Sequence, residues 1–67
     1  MELKEIMKQR RDTLCLSQQD LAEIAGISLA TVKDIERGKG NPSLATINKI
    51  LDVLGMEITY RIRQTVF

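Results

Sequence analysis

The chemistry open to these 67 residues is hydrogen bonding and charge pairing. There is no histidine, one cysteine (Cys15) and no glycine-rich phosphate loop, so catalysis and thiolate–imidazole metal binding have little to build on. No enzyme, cofactor or metal site is expected. The chain does hold a dense run of short polar and cationic side chains between positions 17 and 39, SQQDLAEIAGISLATVKDIERGK. In it Lys33 donates, Asp34 accepts, and Ser28 and Thr31 can do both. Gln18 and Gln19 lie at one end, Arg37 and Lys39 at the other.

Two short helices must position these groups. The first is expected over 18–25 with Ser17 as N-cap, the second over 29–37 with Ser28 as N-cap. Each serine hydroxyl can accept from an orphan backbone N–H of the first turn. Gly26 falls between them, where a sharp turn needs positive φ. Counting Gln18 as place one, Ala22 is fifth, Gly26 ninth, Val32 fifteenth and Ile35 eighteenth. A steep helix crossing needs a small residue at the contact, which Ala22 supplies. Val32 and Ile35 face back onto the first helix. Helix, tight turn and helix form the unit that lays a second helix in the DNA major groove.

At these residues the sequence resembles the phage-repressor (Cro/cI, or Xre) family of helix-turn-helix proteins. The matching stretches are LSQQDLA at 16–22, GIS at 26–28, Val32, IERGK at 35–39 and NPSL at 41–44, and the resemblance spans roughly 2–55. It implies that Ser17, Gln18, Gln19, Arg37 and Lys39 touch DNA phosphate. It places Ser28, Leu29, Ala30, Thr31, Lys33 and Asp34 at or beside base-reading positions. The side chains fit in part: Lys33 can donate to guanine O6/N7, Asp34 can accept from cytosine N4 or repel phosphate, and the methyls of Leu29, Ala30 and Thr31 can meet a thymine methyl. Many relatives carry Gln, Arg or Asn where this chain has Leu29 and Ala30. Leu29 therefore either reads DNA by apolar contact or tucks under the fourth helix. The resemblance also implies a salt bridge between Arg11 and Glu36, tying the first helix to the reading unit. Ser17 is already explained as a cap, whereas Gln18 has no structural need to be glutamine and is assigned to DNA.

The rest of the chain reads as support. A first helix over 2–13 carries Leu3, Ile6, Met7 and Leu14 at core spacing, with Lys4, Lys8, Gln9 and Arg10 facing solvent. Cys15, in the following loop, is expected to be a half-buried packing thiol. Leu21 and Ala22 point to the core, with Ile24 and Ala25 helping to close it. RGKGNPS at 37–43 is a loop. Ser43 caps a fourth helix over 43–54, with Leu44, Ile47, Ile50, Leu51 and Leu54 as its apolar stripe and Gly55 as its end.

Residues 56–63, MEITYRIR, change period from 3.6 to 2: Met56, Ile58, Tyr60 and Ile62 alternate with Glu57, Thr59, Arg61 and Arg63. That is the pattern of a half-buried β-strand. A lone strand leaves its backbone groups unpaired, so it is expected to pair with its own copy across a two-fold axis through Met56, Ile58, Tyr60 and Ile62. The alternatives are addition to a partner's sheet or a frayed tail. A strand after helix four resembles the antitoxin-like branch that accompanies HipA-type kinase toxins. That resemblance implies a second possible role, binding and neutralising a toxin or kinase.

The expected fold is thus mainly α: a four-helix, repressor-like helix-turn-helix domain over 1–55, with a dimerising strand and tail over 56–67. So short a chain buries only ~60% of its unfolded surface, which a second copy would relieve. The net charge of +1 is small for a nucleic-acid binder, so its cations must cluster to be effective. One cysteine, no apolar leader at the start and no membrane-length apolar run fit a cytoplasmic, nucleoid-associated protein. The expected partner is double-stranded DNA, bound by a homodimeric transcriptional regulator, a repressor, on a pseudo-palindromic operator.

Overall fold

Serine marks the start of three helices. In the computed structural model, which describes residues 2–63, the chain forms α1 (Leu3–Thr13), α2 (Gln18–Ala25), α3 (Leu29–Glu36) and α4 (Leu44–Val53). The Ser17 hydroxyl accepts from the Asp20 N–H at 2.9 Å, and the Asp20 carboxylate accepts from the Ser17 N–H at 3.0 Å, a reciprocal capping box. Ser28 and Ser43 accept from Thr31 and Thr46 N–H in the same way. The N-cap of α1, Glu2, makes no side-chain cap bond.

All four helices stop alike. The N–H groups of Leu16, Ile27, Lys39 and Met56 reach back to the carbonyls of Arg11, Ala22, Asp34 and Leu51, closing Schellman turns. The residue before each donor lies in the left-handed region: Gly26, Gly38 and Gly55 at three ends, and Cys15 (φ 57°) at the first. The expected half-buried thiol is therefore an exposed terminator, because the turn that ends α1 carries Cys15 onto the surface.

Helix α2 sits centrally, packed against both α3 and α4, while α1 lies against α3. Met7, Leu21, Val32, Ile50 and Leu54 are fully enclosed, and Ala22 and Ile35 complete the cluster. Each large side chain so buried contributes roughly 1.5–3 kcal/mol of transfer free energy. Three residues assigned to the core stripes are exposed instead: Leu14, Ile24 and Leu44. Leu14 is the C-cap of α1, where the helical period has ended. Ile24 stands off the Leu21–Ala22 face of a two-turn helix. Leu44 is the first residue of α4 and overhangs the packed face. Helices α3 and α4 are also slightly shorter than expected, ending at Glu36 and spanning Leu44–Val53.

Residues 56–63 form no strand in the single chain. Met56 packs against the core and Ile58 is half-buried, but Tyr60 and Ile62 are 85% and 97% exposed. The alternating face is laid down on the helices at its root only. A strand needs a second strand to take its backbone bonds, and helices present no edge. Residues 64–67 lie outside the described residues.

Candidate nucleic-acid interface

The interface is built on a buried carboxylate. Glu36, the last residue of α3, is 2% exposed and is the buried charged side chain among the described residues. Arg11 meets it two-pronged: Nε donates to Oε2 and Nη2 to Oε1, each at 2.7 Å. Arg11 Nη1 also donates to the Leu16 carbonyl at 3.0 Å. One guanidinium thus ties the end of α1, the α1–α2 loop and the end of α3. Its hydrogen bonds to Glu36 raise the Arg11 pKa further above its ordinary value, against the opposing effect of burial. Paired carboxylate and fork geometry is the strong form of this interaction.

Gln18 belongs to the same network. Its Nε2 donates to Glu36 Oε1 at 3.2 Å and the side chain is half-buried. Contrary to the sequence expectation that Gln18 has no structural need to be glutamine, it supplies the third donor to Glu36 from the first turn of α2. With it, no buried side-chain N or O among the described residues lacks a partner. Residue spacing alone could not reveal this, since Gln18 and Glu36 come together only through the crossing of α2 and α3.

The clamp leaves one side of α3 open. Ala30, Asp34 and Arg37 are exposed and Lys33 half-buried. Arg37 Nη1 stands 3.9 Å from Asp34 Oδ1, a surface pair of the kind worth ~0–1 kcal/mol. Ser28 and Thr31 hydroxyls bond each other at 2.7 Å while Ser28 caps the helix, so both have a structural task at the helix start. Leu29 packs against the core cluster, which favours the tucked position over the reading face. Lys39 is exposed just past α3. Ser17 is engaged in its capping box, and Gln19 donates to Glu23 Oε1 at 3.2 Å on the surface. The structure therefore gathers Ala30, Lys33, Asp34, Arg37 and Lys39 on and just beyond one helix, with Ser17, Gln18 and Gln19 at the start of the helix beneath.

Arg10 does not face solvent as its spacing suggests, but is half-buried. Its Nε and Nη2 both donate to the Leu54 carbonyl, at 3.1 and 2.9 Å, holding the end of α4. A lysine-or-arginine on a solvent face and one that caps a distant helix look identical in sequence.

A Cro/cI-type reading unit is defined by these features: a two-helix turn, a second helix locked by its last residue, and polar groups on its free side. Residues 7–61 match the HTH_3 helix-turn-helix family, and the chain belongs to that family. It is similar to the immunity repressor protein of Bacillus phage phi105, 39% identical over 57 residues, which cover 85% of this chain and 37% of the relative. It is similar to the cryptic phage CTXphi transcriptional repressor RstR of Vibrio cholerae, 34% identical over 58 residues (87% and 52%). An uncharacterized HTH-type transcriptional regulator of Methanothermobacter thermautotrophicus is 33% identical over 55 residues, covering 82% and 80%. The chain thus spans about two fifths to a half of these phage repressors and four fifths of the archaeal regulator. Among the described residues no helix is long and apolar enough to cross a membrane.

Proposed function

We infer that the chain is a DNA-binding transcriptional regulator, a repressor acting as a homodimer on a pseudo-palindromic operator. The observation that carries this reading is α3, fixed at its end by the Arg11–Glu36–Gln18 network with Ala30, Lys33, Asp34 and Arg37 left open. Lys33 and Asp34 offer a donor and an acceptor to base edges in the major groove. Arg37 and Lys39 anchor phosphate and set the register. Names of phage repressors among its relatives support repression over activation. The site is built to bind rather than to react.

Dimerisation is assigned to residues 56–63, whose exposed Tyr60 and Ile62 suit an antiparallel ribbon with a second copy. Two copies of α3 would then enter successive major grooves about 34–36 Å apart. The test is sedimentation equilibrium on the full chain and on a chain ended after Gly55. A dimer that becomes a monomer on truncation supports the ribbon. A full-length monomer sinks it. The exposed tail then favours a second reading, in which it docks on a partner protein such as a toxin or kinase.

A further inference from the structure

Two neighbouring arginines on α1 reach opposite ends of the molecule's working parts. Arg11 holds Glu36 at the end of α3. Arg10 holds the Leu54 carbonyl at the end of α4 with two hydrogen bonds. Leu54 is the C-cap of α4, at the root of the C-terminal segment. Gly55 turns the chain at φ 71°, Met56 N–H bonds to the Leu51 carbonyl at 2.8 Å, and the Met56 side chain packs on the core. A Cβ on Gly55 would lie 3.6 Å from Arg10 Nη2, so the guanidinium sits directly against the turn.

We propose that Arg10 is a specificity-determining positioning residue: by pinning the root of the C-terminal segment to α1, it fixes which spacing between operator half-sites the dimer accepts. This rests on the homodimeric DNA-binding reading above. One helix carries both clamps, so the direction in which the tail departs is locked relative to α3. In a dimer joined through the tails, that direction sets the distance and rotation between the two copies of α3. Changing the half-site spacing by one base pair moves the second site about 3.4 Å along the axis and about 35° around it. A tail with a fixed root tolerates one such placement, whereas a tail that swings tolerates several. The side-chain hydrogen bonds of Arg10 go to the Leu54 carbonyl, at the root of the tail, so on this proposal it acts through geometry.

The test is selection of binding sites from a pool of random-sequence DNA duplexes, with the full chain and with Arg10→Leu, which removes both donors. The wild type is expected to return inverted repeats at one spacing, preferred about tenfold over spacings one base pair longer or shorter. Arg10→Leu is expected to return the same half-site at mixed spacings, with the preference reduced to about threefold or less. If circular dichroism shows that Arg10→Leu does not fold, Arg10→Lys, which keeps the charge but not the fork, is expected to broaden the spacing in the same direction. A folded variant that keeps the single wild-type spacing overturns the inference. A wild type that returns only unpaired half-sites defeats the dimer reading itself, and is told apart because no substitution is involved.

Discussion

At the scale of single residues, Cys15 is the least expected participant. It ends α1 with φ 57°, the only non-glycine with positive φ among the described residues, where the other three helices use glycine. A side chain in this conformation costs roughly 1–2 kcal/mol, part of which glycine gives back through its freer unfolded state. Cys15→Gly is therefore expected to stabilise the chain by about 0.5–1 kcal/mol, read as a higher urea midpoint at unchanged slope. Asp20 offers the complementary case. Its bonds from the Ser17 backbone and side chain lower its pKa below the ordinary 3.8. A carboxylate with a depressed folded pKa contributes stability fully present above 3.8 and lost as pH falls through the folded value. Asp20→Asn should melt below wild type at neutral pH, and the gap should close in acid below the Asp20 pKa. A gap that stays constant down to low pH would show that charge plays no part in the capping box. Neither the torsion of Cys15 nor the Gln18–Glu36 bond was legible in the sequence, because both depend on where the chain turns and which helices cross.

Among the elements, α1 does more than cover the core. It clamps α3 through Arg11 and α4 through Arg10, while its Met7 is fully buried. Removing one partner of a buried ion pair leaves the other charge stranded, at a cost of about 3–5 kcal/mol. Arg11→Ala, which leaves the buried Glu36 carboxylate without its cation, should lose stability in that range. A double-mutant cycle with Glu36→Ala should give coupling of about 1–3 kcal/mol, above the span of exposed pairs. Coupling near zero would mean that the pair is spectator geometry. The helices themselves were legible: serine caps, glycine ends and 3.6-residue spacing locate α2 within the residues expected, and α1, α3 and α4 within about one residue. What misled was the same spacing carried too far, to Leu14 and Leu44 at helix ends and to Ile24 beside the packed face. Period identifies a face, but only packing decides how much of it is covered. The period-2 tail shows the same limit, since a strand pattern yields a strand only where a partner strand exists.

For the whole molecule, a net charge of only +1 makes the proposed DNA contact depend on where the cations lie. Arg37 and Lys39 follow α3, Lys33 lies on it, and the acidic Glu36 is neutralised inside by Arg11. The proposed division of labour, with Lys33 reading and Lys39 anchoring, is open to measurement. Fluorescence anisotropy titrations would compare a duplex selected by the wild type with a scrambled duplex, over a series of salt concentrations, for wild type, Lys33→Ala and Lys39→Ala. Lys33→Ala is expected to lose about 1–3 kcal/mol of discrimination between the duplexes. Lys39→Ala is expected to weaken both duplexes alike and to reduce the salt slope by about one. If both substitutions lower the affinity of both duplexes by the same factor, α3 does not read sequence through Lys33 and the division between reading and anchoring does not exist.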